Sequence, residues 1–200
     1  GYPDVFVTDM LPETNERIKT VTTFDNWDRY QYSLSNGYWH QFNRNMLQLN
    51  NGDNTFSEIG RLANVAATDW SWGALITDLD NDGFKDIFVA NGIYKDITDQ
   101  DYIQYTADAG ASIRQQIVNR EKDIVKKLID LIPSQPLPNY AFRNNGDLTF
   151  TDKAKEWGLD TPGFSNGSAY GDLDNDGDLD LIINNVNQPA FIYRNNDREQ

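Results

Sequence analysis

Apolar residues along this chain follow two different periods. Short runs at Met46 to Leu49, Phe56 to Ile59, Ala74 to Thr77 and Ile87 to Ala90 are each bounded by Asn, Gly or Asp. Runs of that length and punctuation predict short β-strands. A second set follows at Tyr140 to Arg143, Thr149 to Asp152, Ser168 to Tyr170 and Leu181 to Ile183. Between the sets the period changes. Ile113, Ile117, Ile124, Leu128 and Ile129, with Val118 and Val125 beside them, recur three, four or seven apart. That spacing predicts an amphipathic helix from Ala111 to Ile132, closed by Ile132-Pro133-Ser134-Gln135-Pro136. A shorter helix is expected over Asp99 to Ala109. The stretch from Met10 to Asn45 sets Tyr30, Tyr32, Tyr38, Trp39 and Phe42 among polar residues without a clear period, and mostly irregular structure is expected there.

The strand sets are copies of one another. At an offset of 94 residues, Asn50-Asn51-Gly52-Asp53-Asn54-Thr55-Phe56 falls on Asn144-Asn145-Gly146-Asp147-Leu148-Thr149-Phe150. Gly73 to Asp78 falls on Gly167 to Asp172, and Asp86 to Asn91 on Asp180 to Asn185, with no gap inside the unit. The opening recurs at Ile192-Tyr193-Arg194-Asn195-Asn196, only 51 residues after Asn144-Asn145. The unit is therefore about 51 residues, and the longer spacing contains an insertion of about 43. Four short strands per unit of this size predict an all-β fold, a β-propeller with a helical insertion. The expected division is the end of a blade at 1–9, a long connection at 10–45, a blade at 46–92, the helical insertion at 93–138, a second blade at 139–186 and the start of a further blade at 187–200. Gly1 to Val7 reads as the tail of the same unit, so a fragment of a longer repeat protein is expected.

Each unit carries an acidic loop of the form D-x-D-x-D-G-x-x-D, at Asp78 to Asp86 and at Asp172 to Asp180. Carboxylates at alternate positions repel one another unless a cation sits between them. The expected ligands are Asp78, Asp80, Asp82, the Phe84 carbonyl and Asp86 in one loop. In the other they are Asp172, Asp174, Asp176, the Asp178 carbonyl and Asp180. Gly83 and Gly177 make the sharp turn. Oxygen-only ligands suit Ca²⁺ and suit zinc or copper poorly. The position that holds a bidentate Glu in an EF-hand is Val89 or Ile183 here, inside a strand-like run. Asp4 is expected to close a third loop of this kind, with Gly1 at its turn. A metal in such a cage is structural, because its binding free energy becomes folding free energy.

Composition narrows the remaining choices. The 200 residues carry a formal net charge of -14, which argues against a nucleic-acid partner. With 38% hydrophobic residues the chain is a folding sequence and not an acidic tail. There is no cysteine, so disulfides, thiol nucleophiles and Cys-ligated zinc are excluded. No apolar run approaches the ~20 residues of a membrane-spanning helix.

The Asn-Asn-Gly-Asp-x-Thr-Phe segments, Thr68-Asp69-Trp70-Ser71-Trp72-Gly73 and both Asp loops resemble the FG-GAP/VCBS repeat family. The resemblance is strongest to the bacterial branch that accompanies ASPIC/UnbV-type domains, and it extends to the calcium-bearing blades of integrin α-subunit propellers. It implies a ring of usually seven blades, with Ca²⁺ at the loop residues named above. Asn54 and Leu148 depart from the small residue usual at their turn position. The family implies an exported or surface-anchored protein of adhesion, assembly or glycan-related function. The long connections resemble those of Bacteroidota envelope proteins, implying an outer-membrane lipoprotein or a secreted subunit.

Catalytic chemistry is not prominent. His40 is the sole histidine and sits in an aromatic connection; Glu58, Glu121 and Glu156 have no distinctive partner. Trp70 and Trp72 lie two apart before a strand, and Tyr38, Trp39, Tyr94, Tyr102 and Tyr105 lie in or beside the insertions. Such aromatics pack inserts onto a ring, stack on sugars or anchor a protein. The expected function is non-catalytic: a calcium-stabilised propeller for protein–protein contact in an envelope or secreted complex. The alternatives are a carbohydrate-binding module of a glycan-utilisation system, and part of an enzyme whose catalytic residues lie outside this segment.

Overall fold

The computed structural model describes residues 2–22, 26–119 and 122–196. The chain divides into two units, one of Gly1–Glu13, Asn43–Tyr94 and Pro136–Gln200, the other of Thr14–Phe42 and Lys95–Gln135. The turn expected at Gly1 lies outside the described residues.

The first unit holds every described strand. They are β1 (Val5–Val7), β2 (Met46–Asn50), β3 (Phe56–Glu58), β4 (Ser71–Thr77), β5 (Asp86–Asn91), β6 (Tyr140–Asn144), β7 (Phe150–Asp152), β8 (Ser165–Gly171), β9 (Asp180–Asn185) and β10 (Phe191–Tyr193). The eight expected strands coincide with β2 to β9 within a few residues. They form three antiparallel sheets, ordered β1-β2-β3, β4-β5-β6-β7 and β10-β9-β8. The sheets cut across the sequence repeat. Segment 46–92 gives β2 and β3 to one sheet and β4 and β5 to the next, and segment 139–186 is split in the same way. The sequence repeat runs out of phase with the sheets, because the 59–70 connection passes from one sheet to its neighbour. The long insertion instead joins β5 to β6 within a single sheet.

Strand β5 shows why the sheets stack. It is buried along its whole length. Its period-2 alternation sends Ile87 and Val89 into a cluster with Leu47, Val65, Phe142 and Phe150. Phe88 and Ala90 go to the opposite face, with Ala141, Leu181 and Ile183. The central sheet is therefore covered on one side by β2 of the preceding sheet and on the other by β9 of the following one. Removing a fully buried aliphatic or aromatic side chain from water contributes about 1.5–3 kcal/mol, so β5 is the main apolar anchor of this unit.

The second unit is helical, with α1 (Asn15–Val21), α2 (Trp27–Ser35), α3 (Gln100–Asp108), α4 (Gly110–Val118) and α5 (Ile124–Leu131). Two expectations are corrected here. The Met10 to Asn45 connection contains two short helices. Each begins at a side-chain cap that satisfies an otherwise unpaired backbone N–H, Thr14 accepting from Arg17 N and Asn26 from Asp28 N. The helix expected over Ala111 to Ile132 is broken: Asn119 closes α4, and Asp123 precedes α5 in a left-handed conformation, φ 67°. The shorter helix over Asp99 to Ala109 is α3, with Asp99 as its cap. No helix of the described residues is long and apolar enough to cross a membrane.

Candidate metal centres

Each acidic loop joins two paired strands. The first runs from β4 to β5 and the second from β8 to β9, with Thr77 opposite Asp86 and Gly171 opposite Asp180 at their necks. Backbone geometry explains the Asn and Gly that recur in both loops. Asn81 and Asn175 stand at φ 55° and 62°, Gly83 and Gly177 at 91° and 93°. Asn tolerates the left-handed region better than most residues, and Gly adopts it without strain. The two reversals curl the loop so that carboxylates from alternate positions turn inward.

Every loop carboxylate is held by a defined contact. In the first loop Gly83 N donates to Asp78 Oδ2 at 3.0 Å, and Phe84 N to Asp82 Oδ1 at 2.9 Å. Asp86, fully buried, accepts from Leu79 N and Asn144 N, both at 2.9 Å. The second loop repeats each bond: Gly177 N to Asp172, Asp178 N to Asp176, and Leu173 N and Asn195 N to Asp180. Asp4 accepts from Asn50 N at 2.8 Å, the contact that Asp86 makes with Asn144. Asp4 therefore occupies the place of a closing carboxylate.

Oxygen atoms that could share one ion come together in both loops. Asp78, Asp80 and Asp86 each offer one within 4.8 Å of the others, as do Asp172, Asp174 and Asp176. Asp82 and Asp180 stand outside these triads. Asp82 has both oxygens engaged, one by Phe84 N and one by Arg143. The Oδ1 atoms of Asp78 and Asp80 are buried without a hydrogen-bond donor. A buried acceptor in that condition carries its full desolvation penalty, and a hard cation is the partner that two convergent carboxylate oxygens accept best. The donor set fits a metal of the calcium type. Burial pushes the Asp86 carboxyl above its ordinary pKa; the Asn144 and Leu79 N–H groups oppose this, and Asp80 and Asp82 add to it. Burial likewise raises Asp174. A cation in the cage would favour the charged forms.

Two arginines were not singled out from the sequence. Arg143 places Nε 2.6 Å from Asp80 and an Nη 2.8 Å from Asp82. Arg194 does the same to Asp174 and Asp176, at 2.7 and 3.4 Å. Each immediately precedes the Asn-Asn pair that opens a repeat copy, so their shared position was the available signal. They cover the outer carboxylate oxygens and leave the inner ones to the cage. Gly146 stands at φ 78°, the left-handed region that glycine adopts without strain, with the Phe84 ring in ordinary contact beside it.

The model of the FG-GAP-like repeat matches residues 32–89 and 128–183, more than half of the chain. The chain belongs to the FG-GAP-like repeat family. Both matched segments extend through an acidic loop and into the strand behind it, β5 or β9. Among curated proteins, cartilage acidic protein 1 of Homo sapiens is 32% identical over 91 residues, 45% of this chain, and that of Mus musculus is equally similar. The chain spans only 13% of the length of these relatives. The antiparallel, stacked sheets agree with the propeller-like architecture of FG-GAP repeats.

Several of the other candidate residues have partners, whereas Tyr38 and Trp39 are exposed. His40 Nδ1 lies 2.5 Å from the Tyr30 hydroxyl, and its ring stacks on Phe42. Trp72 donates its indole N–H to Gly92 O at 2.8 Å. Tyr94 packs edge-on against Phe164. Glu58 pairs with Arg44 at 2.8 Å, and Glu156 with Lys153 at 2.7 Å. Glu121 lies outside the described residues.

Proposed function

We propose that this chain is a calcium-stabilised, non-catalytic part of a β-propeller that mediates protein–protein contact outside the cell. The observation that carries the reading is the pair of buried, donor-less oxygens of Asp78 and Asp80 inside a loop whose hydrogen bonds recur at Asp172 to Asp180, where three carboxylates also converge. Calcium enters as the hard cation such a cage takes, with ligands Asp78, Asp80, Asp82, the Phe84 carbonyl and Asp86, and their counterparts Asp172, Asp174, Asp176, Asp178 and Asp180. Asp4 would serve a third loop of the same design. Bound calcium supplies counter-charge only. The chain's own groups do the rest: backbone N–H groups orient the carboxylates, and the arginines hold the outer oxygens. An extracellular or bacterial outer-membrane setting follows from the millimolar calcium available there to modest-affinity sites.

The contact role rests on the inserts. Trp39 is 86% exposed, Tyr38 64% and Val125 61%. Large aromatics on connections suit binding hot spots. The same exposed rings favour, as a second reading, a glycan ligand. Calorimetric titration of Ca²⁺ into the chelator-stripped chain tests the metal. Uptake of two ions, lost when Asp80 and Asp174 are both replaced by Ala, is expected; absence of calcium-dependent heat would sink it. A panel of polysaccharides at millimolar concentration separates the ligand readings, since Trp39-dependent saccharide binding would replace the protein-partner role.

A further inference from the structure

The two acidic loops touch one another, and the contacts involve the residues that shape each cage. Asn81 of the first loop donates its Nδ2 to Asp178 Oδ1 of the second at 3.1 Å. Asp178 is 1% exposed, so this is a buried acceptor with a fixed donor, and its own N–H holds Asp176 at 2.9 Å. The second link departs from the repeat. Asn50 and Asn144 send their side-chain amides to the carbonyl just before the closing carboxylate of the loop they serve, Pro3 O at 3.2 Å and Lys85 O at 3.0 Å. Asn195, third in the series, reaches Leu79 O in the other loop at 2.8 Å. Its backbone N–H holds Asp180, and Leu79 N in turn holds Asp86. A continuous path thus runs from Asp180 through Asn195 and Leu79 to Asp86, joining the closing carboxylates of both loops.

We infer that Asn195 and the Asn81–Asp178 pair are positioning residues that couple the two calcium sites, so that filling one raises the affinity of the other. The inference rests on the calcium reading above. Coupling is positive because an ion in one loop fixes Asn195 or Leu79, and the partner loop then orders fewer groups when its own ion binds. The equivalent links at Asn50 and Asn144 stay beside their own loops, so the coupling belongs to this neighbouring pair of loops.

The test measures calcium affinity of the second loop by calorimetry in the full chain, with the first loop intact or disabled by Asp78→Asn and Asp80→Asn together. Disabling the first loop should weaken the second about 5- to 10-fold, within the usual range of coupling between sites. The Asn195→Ala chain retains the backbone bond to Asp180 and loses the bridge to Leu79 O; there the ratio should fall below about 2-fold. Asp178→Ala should lower the ratio as well. Asp178→Asn keeps an acceptor for Asn81 and should preserve the ratio, which separates the hydrogen bond from the lost charge. A ratio near one in the unmodified chain, or an equal ratio in Asn195→Ala, would overturn the coupling while leaving calcium binding intact. Absence of any calcium binding would instead overturn the underlying metal reading. If the double Asn variant does not fold, Asn195→Ala in the otherwise intact chain decides: loss of steepness in a two-site titration supports the coupling, and an unchanged isotherm refutes it.

Discussion

Withdrawing calcium should cost this fold a measurable part of its stability, and the size can be worked from the first loop. Asp78 and Asp80 each leave one buried oxygen without a donor. An unsatisfied buried polar atom costs about 1–3 kcal/mol, so the empty cage carries about 2–6 kcal/mol. The binding side gives a compatible figure: at an ion concentration about 100 times Kd, one site stabilises by about 2.7 kcal/mol. For a chain of this size each kcal/mol moves Tm by about 2–4 °C. One loaded site should therefore raise Tm by roughly 5–10 °C, and two by roughly twice that. The assay is scanning calorimetry of the intact chain in EGTA and in millimolar Ca²⁺. Asp80→Asn should reduce the calcium-dependent increment to about that of one site. A transition that ignores calcium, or a full increment surviving in Asp80→Asn, would refute the reasoning.

Four smaller outcomes follow from individual contacts. Phe88 is fully buried, so Phe88→Ala should lose about 3–5 kcal/mol in denaturant unfolding. Leu148 stands at φ 70°, a conformation that Asn or Gly adopts more readily; Leu148→Asn should gain about 1 kcal/mol in the same assay. The Thr149 hydroxyl and N–H hold the Asp147 carboxyl below its ordinary 3.8. That contribution is complete above the unfolded-state pKa and is lost as pH falls through the folded-state value. Thr149→Val should move the Asp147 titration, followed by NMR, up toward 3.8 and remove its share of the acid sensitivity. Arg143→Gln should lower Tm more in EGTA than in calcium, because only the ion-free loop depends on the guanidinium to offset Asp80 and Asp82; equal losses in both buffers would show that Arg143 does not act as a counter-charge.

The strands and both loops were legible because their signals are local. Period-2 runs and Asn-Gly-Asp punctuation placed β2 to β9 within a few residues, and the Asp spacing marked the two loops in which three carboxylates converge. Sheet membership was not legible, since pairing is a long-range property: β3 and β4 are near in sequence but lie in different sheets, whereas β5 and β6 flank the long insertion yet are adjacent in one, with Asn91 N donating to Asn139 Oδ1 across 48 residues just before β6. The helices α1 and α2 are only 7 and 9 residues long and bury nothing, so no apolar stripe announced them. Their caps, Thr14 and Asn26, were the only signs. The apolar period through 111–132 reads as continuous because a break in the backbone leaves the spacing of side chains almost unchanged. Arg143 and Arg194 escaped notice because a cation facing the cage comes from the neighbouring strand and not from the loop.

The most direct test of the calcium-cage reading is anomalous diffraction from crystals of the chain grown with CaCl₂. Two peaks are expected, one about 2.3–2.6 Å from the inner oxygens of Asp78 and Asp80 and one at the same distance from those of Asp172 and Asp174. Loops that keep the same carboxylate geometry around water alone, with Arg143 and Arg194 as the sole counter-charges, would contradict it.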